Sequence, residues 1–232
     1  MRLHRICAAV TTAMCLAVPV RADQPAAAFD NSTSWTMAGG VAVYGWQFTT
    51  QADIQVSALG LYDNPGIFGG GFLGDGLLET HAIGIWDVSN PGSPVVSGVL
   101  AAGTGSTLLS GFRYVGTSPV VLSANHDYVI GALYGNQLLA EQDFVTGEYN
   151  NPAFVLTVGP AIAFGGYQYA ATNVFSFPGQ GLPGTVFAFG PNFTYSVVPE
   201  PSSLAIFVFA TLAIICGKKR LSRVRQRRQF LL

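Results

Sequence analysis

Between residues 41 and 197 the chain runs in short apolar stretches, each closed by Gly, Pro, Asn or Asp, and no stretch sustains a helical period. That pattern restricts the fold to strands and turns. In residues 41–50, Tyr44, Trp46 and Phe48 share one parity and Val43, Gly45 and Gln47 the other, so a strand here puts its aromatics on one face. Ile54 and Val56 begin a parity that switches at Leu59 and Leu61, which predicts a bulge near Ala58 or Gly60. Residues 127–134 carry Tyr128, Ile130, Ala132 and Tyr134 on one face and Val129 and Leu133 on the other, the mark of a strand covered on both sides. Further strands are expected at 81–88, 94–101, 108–115, 153–158, 161–170 and 185–197. About nine strands predict an all-β, two-sheet, jelly-roll-like sandwich. Its expected span is 41–198, preceded at 23–40 by a flexible lead-in of small and polar residues. No internal repeat of fixed period is present.

Charge separates this middle from the two ends. Of the 11 Lys and Arg, three lie before residue 22 and seven after residue 198, leaving Arg113 alone against eleven acids, a net −10 for residues 23–198. Duplex nucleic acid needs cations to replace its condensed counterions and is excluded as a partner. The three cysteines, Cys7, Cys15 and Cys216, also fall in the ends, so residues 23–198 must hold together by their core alone.

Residues 1–22 have the three-part plan of a secretory signal: basic Met1 to Arg5, a largely apolar run from Ile6 to Val20, and small residues at Val20 and Ala22. Signal peptidase is expected to cut after Ala22. The apolar run is shorter than a membrane span needs and contains Pro19, which argues against a permanent anchor. Cys15 follows Met14, where a lipoprotein signal wants a small residue.

The C-terminus shows Val198-Pro199-Glu200-Pro201, an apolar run from Leu204 to Cys216 expected to form a short helix, and a basic tail through Arg228. The positive-inside rule keeps such a tail in the cytoplasm. Residues 199–228 resemble the PEP-CTERM sorting signal of exported proteins in bacteria that make extracellular polysaccharide. The resemblance implies transient anchoring in the inner membrane, recognition by an exosortase-type membrane peptidase, a cut near Pro199-Glu200-Pro201, and delivery to the cell surface or beyond. A plain single-span tail anchor is the alternative. A second resemblance joins Gly45-Trp46-Gln47-Phe48-Thr49-Thr50, Leu59-Gly60-Leu61-Tyr62-Asp63, His81-Ala82-Ile83-Gly84-Ile85-Trp86 and Tyr128-Val129-Ile130-Gly131-Ala132-Leu133-Tyr134. These segments are similar to a family of bacterial surface β-sandwich domains of unknown function, which implies no catalytic residues.

The motifs that carry chemistry are few. Gly69-Gly70-Gly71-Phe72-Leu73-Gly74 matches the dinucleotide fingerprint by spacing, but Asp75-Gly76 follows instead of a helix to receive the pyrophosphate. His81 and His126 lack metal-ligand spacing and are expected to cap strand starts or meet solvent. No G-x-S-x-G elbow supports a serine nucleophile. Asp75 with Glu79, or Glu141 with Asp143 and Glu148, could be solvated acids, a calcium site, or the carboxylate pair of a polysaccharide-acting hydrolase. Trp35, Trp46, Trp86 and Tyr134 are the candidate platforms on which a sugar ring would stack, although most aromatics must fill the core. Arg113 is expected to pair with an acid. The chain therefore reads as a non-enzymatic structural or extracellular-polysaccharide-binding protein, with a purely adhesive protein as the other class. Its variable loops are expected at 66–76 and 137–151.

Overall fold

The computed structural model describes residues 22–31, 41–63, 76–135, 145–148, 154–181 and 186–199. All but Pro199 belong to one compact unit, Pro19–Val198. Among the described residues there is no helix, and the protein is all-β. The apolar run at 204–216 and most of the signal peptide lie outside them.

Fifteen strands follow in order: β1 (Gln24–Pro25), β2 (Ala27–Asn31), β3 (Ala42–Thr50), β4 (Ile54–Tyr62), β5 (His81–Asp87), β6 (Val96–Leu100), β7 (Thr107–Leu109), β8 (Phe112–Leu122), β9 (Asp127–Tyr134), β10 (Val145–Glu148), β11 (Phe154–Val158), β12 (Ile162–Ala170), β13 (Gln180–Gly181), β14 (Val186–Phe189) and β15 (Pro191–Val197). They form a five-stranded sheet of order β1-β15-β4-β8-β7 and a six-stranded sheet of order β13-β12-β3-β9-β5-β6, with two small ladders, β10-β14 and β11-β2. Every pairing within the two main sheets is antiparallel.

The core lies between the two main sheets, as the alternation of β3 and β9 demands. Trp46, Phe48, Ile130, Ala132, Ile83 and Ile85 from one sheet meet Ile54, Val56, Leu59, Leu61, Phe112, Phe193 and Tyr195 from the other. Phe193 joins the layers, with its ring centroid 4.9 Å from Phe48 and 6.0 Å from Trp46. Aromatic pairs of this geometry contribute about 0.5–1.5 kcal/mol each beyond their buried area. A core of this density supplies what the missing disulfides cannot.

The parity switch in β4 has the expected cause. Ser57 is the extra residue where the β4–β15 register slips between Tyr195/Val56 and Thr194/Ala58, so Ile54 and Val56 before it and Leu59 and Leu61 after it all turn inward.

Three boundaries differ from the sequence reading. Residues 24–31 are not a loose lead-in: β1 extends the five-stranded sheet on β15 and β2 pairs with β11, so the folded unit starts well before residue 41. Ala26 and Ala27, where β1 passes into β2, are buried. The single strand expected at 108–115 is a hairpin, β7–β8, turning through Ser110 (φ 52°) and Gly111 (φ 80°). Two positive φ values make the type I′ geometry whose twist matches the flanking strands. β8 then continues past Gly116 and Pro119, both of which read as stops, because the β4–β8 register is irregular there and those residues face solvent.

Candidate functional site

The two ends of the sandwich are unlike each other. At one end the connections are short and mutually bonded around residues 50–53. Thr50 N–H donates to His126 O (3.1 Å), Gln51 N–H to Ala161 O (2.8 Å), Ala124 N–H to Asp53 Oδ1 (2.7 Å) and Val198 N–H to Asp53 O (2.9 Å). At the other end stand the start of β3, the end of β4, the starts of β5 and β8, and the ends of β9 and β12. The two expected functional loops, 66–76 and 137–151, depart from this second end, following β4 and β9. Apart from Gly76 and β10, their residues lie outside those described.

The described side chains at this open end form an aromatic and polar rim. Tyr44 and Tyr169 are register partners on β3 and β12, both half-buried. The Tyr44 phenol is raised above its usual pKa, first by burial and then by Tyr169. Tyr44 lies edge-on to Tyr134 (5.7 Å), and Tyr134 lies edge-on to His81 (5.0 Å). His81 Nδ1–H donates to Leu133 O at 2.9 Å, which fixes the ring's orientation. Glu79 accepts from Gly135 N–H at 2.5 Å, closing the end of β9. Both Tyr rings of the β3–β12 pair combine an apolar face with a hydroxyl, the character that suits a tyrosine to a partly wet binding surface.

Beside the rim sits the pair expected for Arg113. Its Nε donates to Asp63 Oδ2 at 2.6 Å, with both side chains buried. Its Nη1 donates to Thr104 O and Ser106 O, each at 2.9 Å, and Asp63 Oδ1 accepts from Gly76 N–H. One ion pair thus ties the ends of β4, β8 and the 101–106 connection together. A carboxylate with both oxygens engaged in this way is a structural clamp.

Three candidate stacking platforms are corrected by their burial. Trp46 is enclosed in the core and its Nε1–H donates to Pro191 O at 2.7 Å. Tyr134 is wholly buried between Tyr44 and His81. Trp86 is buried on the outer face of the six-stranded sheet, under Phe175 (4.9 Å) and Phe177 (6.4 Å). Trp35 lies outside the described residues, as do Asp75, Glu141, Asp143, Glu200 and Pro201. No Trp or Tyr among the described residues is exposed, and no group of His, Cys, Asp and Glu among them is placed to hold a metal. His81, expected at a strand start or in solvent, opens β5 and is buried.

The second histidine belongs to the short-turn end. His126 Nε2–H donates to Asp87 Oδ1 (2.8 Å), the oxygen that also accepts from Ser89 N–H (2.7 Å) and Ser89 Oγ–H (2.6 Å). In a nucleophilic triad the hydroxyl bonds the imidazole, whereas here hydroxyl and imidazole both bond the acid, so the arrangement caps a turn. The Ser89 hydroxyl, followed by His126, lowers the Asp87 pKa from 3.8 to about 2. A depressed carboxylate contributes stability above its unfolded pKa and loses it as pH falls through the folded one. Asp87→Asn is therefore expected to flatten the fall of the urea midpoint between about pH 4 and pH 2. Parallel acid limbs in the two proteins would contradict the assignment.

No known protein family, curated protein or solved structure matches the chain. The functional reading accordingly rests on its own residues.

Proposed function

We propose that the chain is an exported protein, sorted through its PEP-CTERM-like C-terminus to the cell surface or extracellular matrix, where it has a structural or carbohydrate-associated binding role. The observation that carries this reading is the fit between the fold and the two expected cuts. Signal removal after Ala22 would leave Asp23 at the new N-terminus, where its carboxylate accepts from Ser57 Oγ–H (2.5 Å) and the next residue opens β1. At the other boundary the last sheet-like bond belongs to Val198, and Pro199 starts the sorting motif. Neither cut would remove a described strand.

Both boundaries also lie toward the short-turn end. Val197 pairs with Ile54 and Gln24 with Tyr195, while the long connections leave from the opposite end. The sandwich is read as a jelly roll with an insertion. Numbering β1, β3, β4, β5, β6, β8, β9 and β15 in chain order, the first, eighth, third and sixth lie side by side in one sheet, and the second, seventh, fourth and fifth in the other. That order supports the jelly-roll reading, whose double Greek-key arrangement is shared by capsid and lectin domains. Fold alone does not specify a ligand.

A second reading, a purely adhesive or structural protein without a glycan ligand, draws on β7. This strand exposes Leu108 and Leu109 beside an edge that no described strand pairs, the combination that invites protein contact.

Replacing Pro199-Glu200-Pro201 with alanines is expected to retain the protein in the inner-membrane fraction, while the unaltered chain reaches the cell exterior. Equal release of both proteins would overturn the sorting assignment. The recovered protein is expected to bind extracellular polysaccharide saturably, and Tyr44→Ala or Tyr169→Ala to weaken that binding. Absence of binding at millimolar glycan would favour the adhesive reading.

A further inference from the structure

The outer face of the six-stranded sheet is built as a seat for rings. Register places Gly84, Gly131 and Gly45 in one row across β5, β9 and β3, continued by Gln168 on β12. The next row holds Trp86, Val129 and Gln47. Adjacent strands lie about 4.8 Å apart, so the glycines leave a flat trough about 10 Å wide, edged by an indole on one side and by two amides on the other. Gln168 Nε2–H donates to Gln47 Oε1 at 3.3 Å. No charged residue stands in either row.

The trough is filled by the chain itself. Residues 171–179, between β12 and β13, place Phe175 and Phe177 on Trp86 and Pro178 over Gly131. A methyl group at Gly131 would fall 2.8 Å from Pro178 Cγ, and one at Gly84 would fall 3.1 Å from the Phe175 ring. At Gly131 the nearest atom belongs to the cover, whereas a methyl at Gly84 would also meet Val96 O (3.0 Å) and Pro94 Cβ (3.1 Å). Its hydrogen bonds are local: Thr172 N–H to Ala170 O, Val174 N–H to Thr172 Oγ1, and Gly179 N–H to Phe177 O. Apart from the bond to Ala170, the last residue of β12, none among the described residues joins residues 171–179 to the sheet beneath. Trp86 and Val129 are absent from the core between the sheets, so the cover and its seat make a separate apolar layer. A segment held by a few ring contacts and no ladder bonds is the kind that opens without global unfolding.

We propose that residues 171–179 are a displaceable cover over a binding face for an uncharged, flat ring, and that a pyranose chain takes the place of Phe175 and Pro178. The choice of ligand rests on the carbohydrate-associated reading above; the opening of the cover does not. Pyranose rings present an apolar face to an indole and hydroxyls to amides, and the uncharged trough gives no purchase to phosphates or ions.

The test uses two neighbours on β9 that face opposite ways. Val129→Cys is buried on the outer face as the register partner of the covered Trp86, and Ile130→Cys lies in the core between the sheets, each placed in the full chain in detergent with Cys7, Cys15 and Cys216 replaced by serine. Thiol labelling of Cys at position 129 is expected to be at least tenfold faster than at 130 and nearly independent of low urea. Adding Gly131→Ala should speed it further, and Pro178→Ala should relieve that effect. Equal rates with equal urea dependence at the two positions would overturn the cover, whatever glycans the protein binds. With cellohexaose as the probe, Phe175→Ala/Phe177→Ala is expected to raise affinity at least tenfold, and Gln47→Ala to reduce the gain. Fast labelling at 129 without cellohexaose binding by any variant would overturn the ligand assignment and leave the cover standing.

Discussion

Arg113→Ala is expected to lower the free energy of unfolding by about 3–5 kcal/mol, the cost of stranding one member of a buried ion pair. Asp63 is fully enclosed and would lose the Nε–H that donates to it at 2.6 Å. The carbonyls of Thr104 and Ser106 would lose their Nη1–H donor at the same time. Removing both charges is a different experiment. Asp63→Leu/Arg113→Met replaces the pair with apolar groups and is expected to recover most of the loss, because it also removes the desolvation penalty. Urea unfolding followed by tryptophan fluorescence measures both. A loss below about 1 kcal/mol for the single variant would mean that water reaches the pair as it reaches a surface salt bridge.

Trp46→Ala is expected to cost a similar amount, about 3–5 kcal/mol, for a separate reason. The indole fills the centre of the core, with Phe48 at 5.2 Å, Phe193 at 6.0 Å and Phe164 at 6.1 Å, so truncation leaves a cavity that three rings cannot close. It also strands Pro191 O, the acceptor of the indole N–H. Trp46→Phe keeps most of the volume and loses the hydrogen bond, so a loss of about 1–2 kcal/mol is expected. The comparison decides what this tryptophan is for. A Trp46→Ala protein that unfolds like the unaltered chain yet loses glycan binding would return Trp46 to the list of stacking platforms.

The fold class was legible because β-sandwich strands display their faces by parity. Tyr44, Trp46 and Phe48 turn inward together, and the slip at Ser57 was visible as a change of parity between Val56 and Leu59. The hairpin at Ser110-Gly111 was not, since Leu108 to Val115 is apolar enough to read as one strand and only the two positive φ values reveal the turn. Residues 24–31 escaped because small residues carry no periodic signal, although the backbone supplies everything a sheet edge needs.

The site was less legible still. A tryptophan in an alternating strand can face the core or solvent, and Trp86 does neither, because a segment distant in sequence lies on top of it. The clue was present in the glycines. Gly84 and Gly131 each interrupt a strongly apolar strand on the face away from the core, where a glycine weakens the strand unless another part of the molecule approaches closely, as Phe175 and Pro178 do here. Their shared row, however, depends on strand register, which residue order alone did not provide.

The central claim is that two cuts release a unit whose boundaries are those of its fold. Intact-mass analysis of the protein recovered from outside the cell tests it most directly. The account predicts a chain that begins at Asp23 and ends between Val198 and Pro201, without the apolar run or the basic tail. A recovered mass that still includes Leu204 to Arg228, or a chain found only inside the cell with its first 22 residues in place, would contradict it.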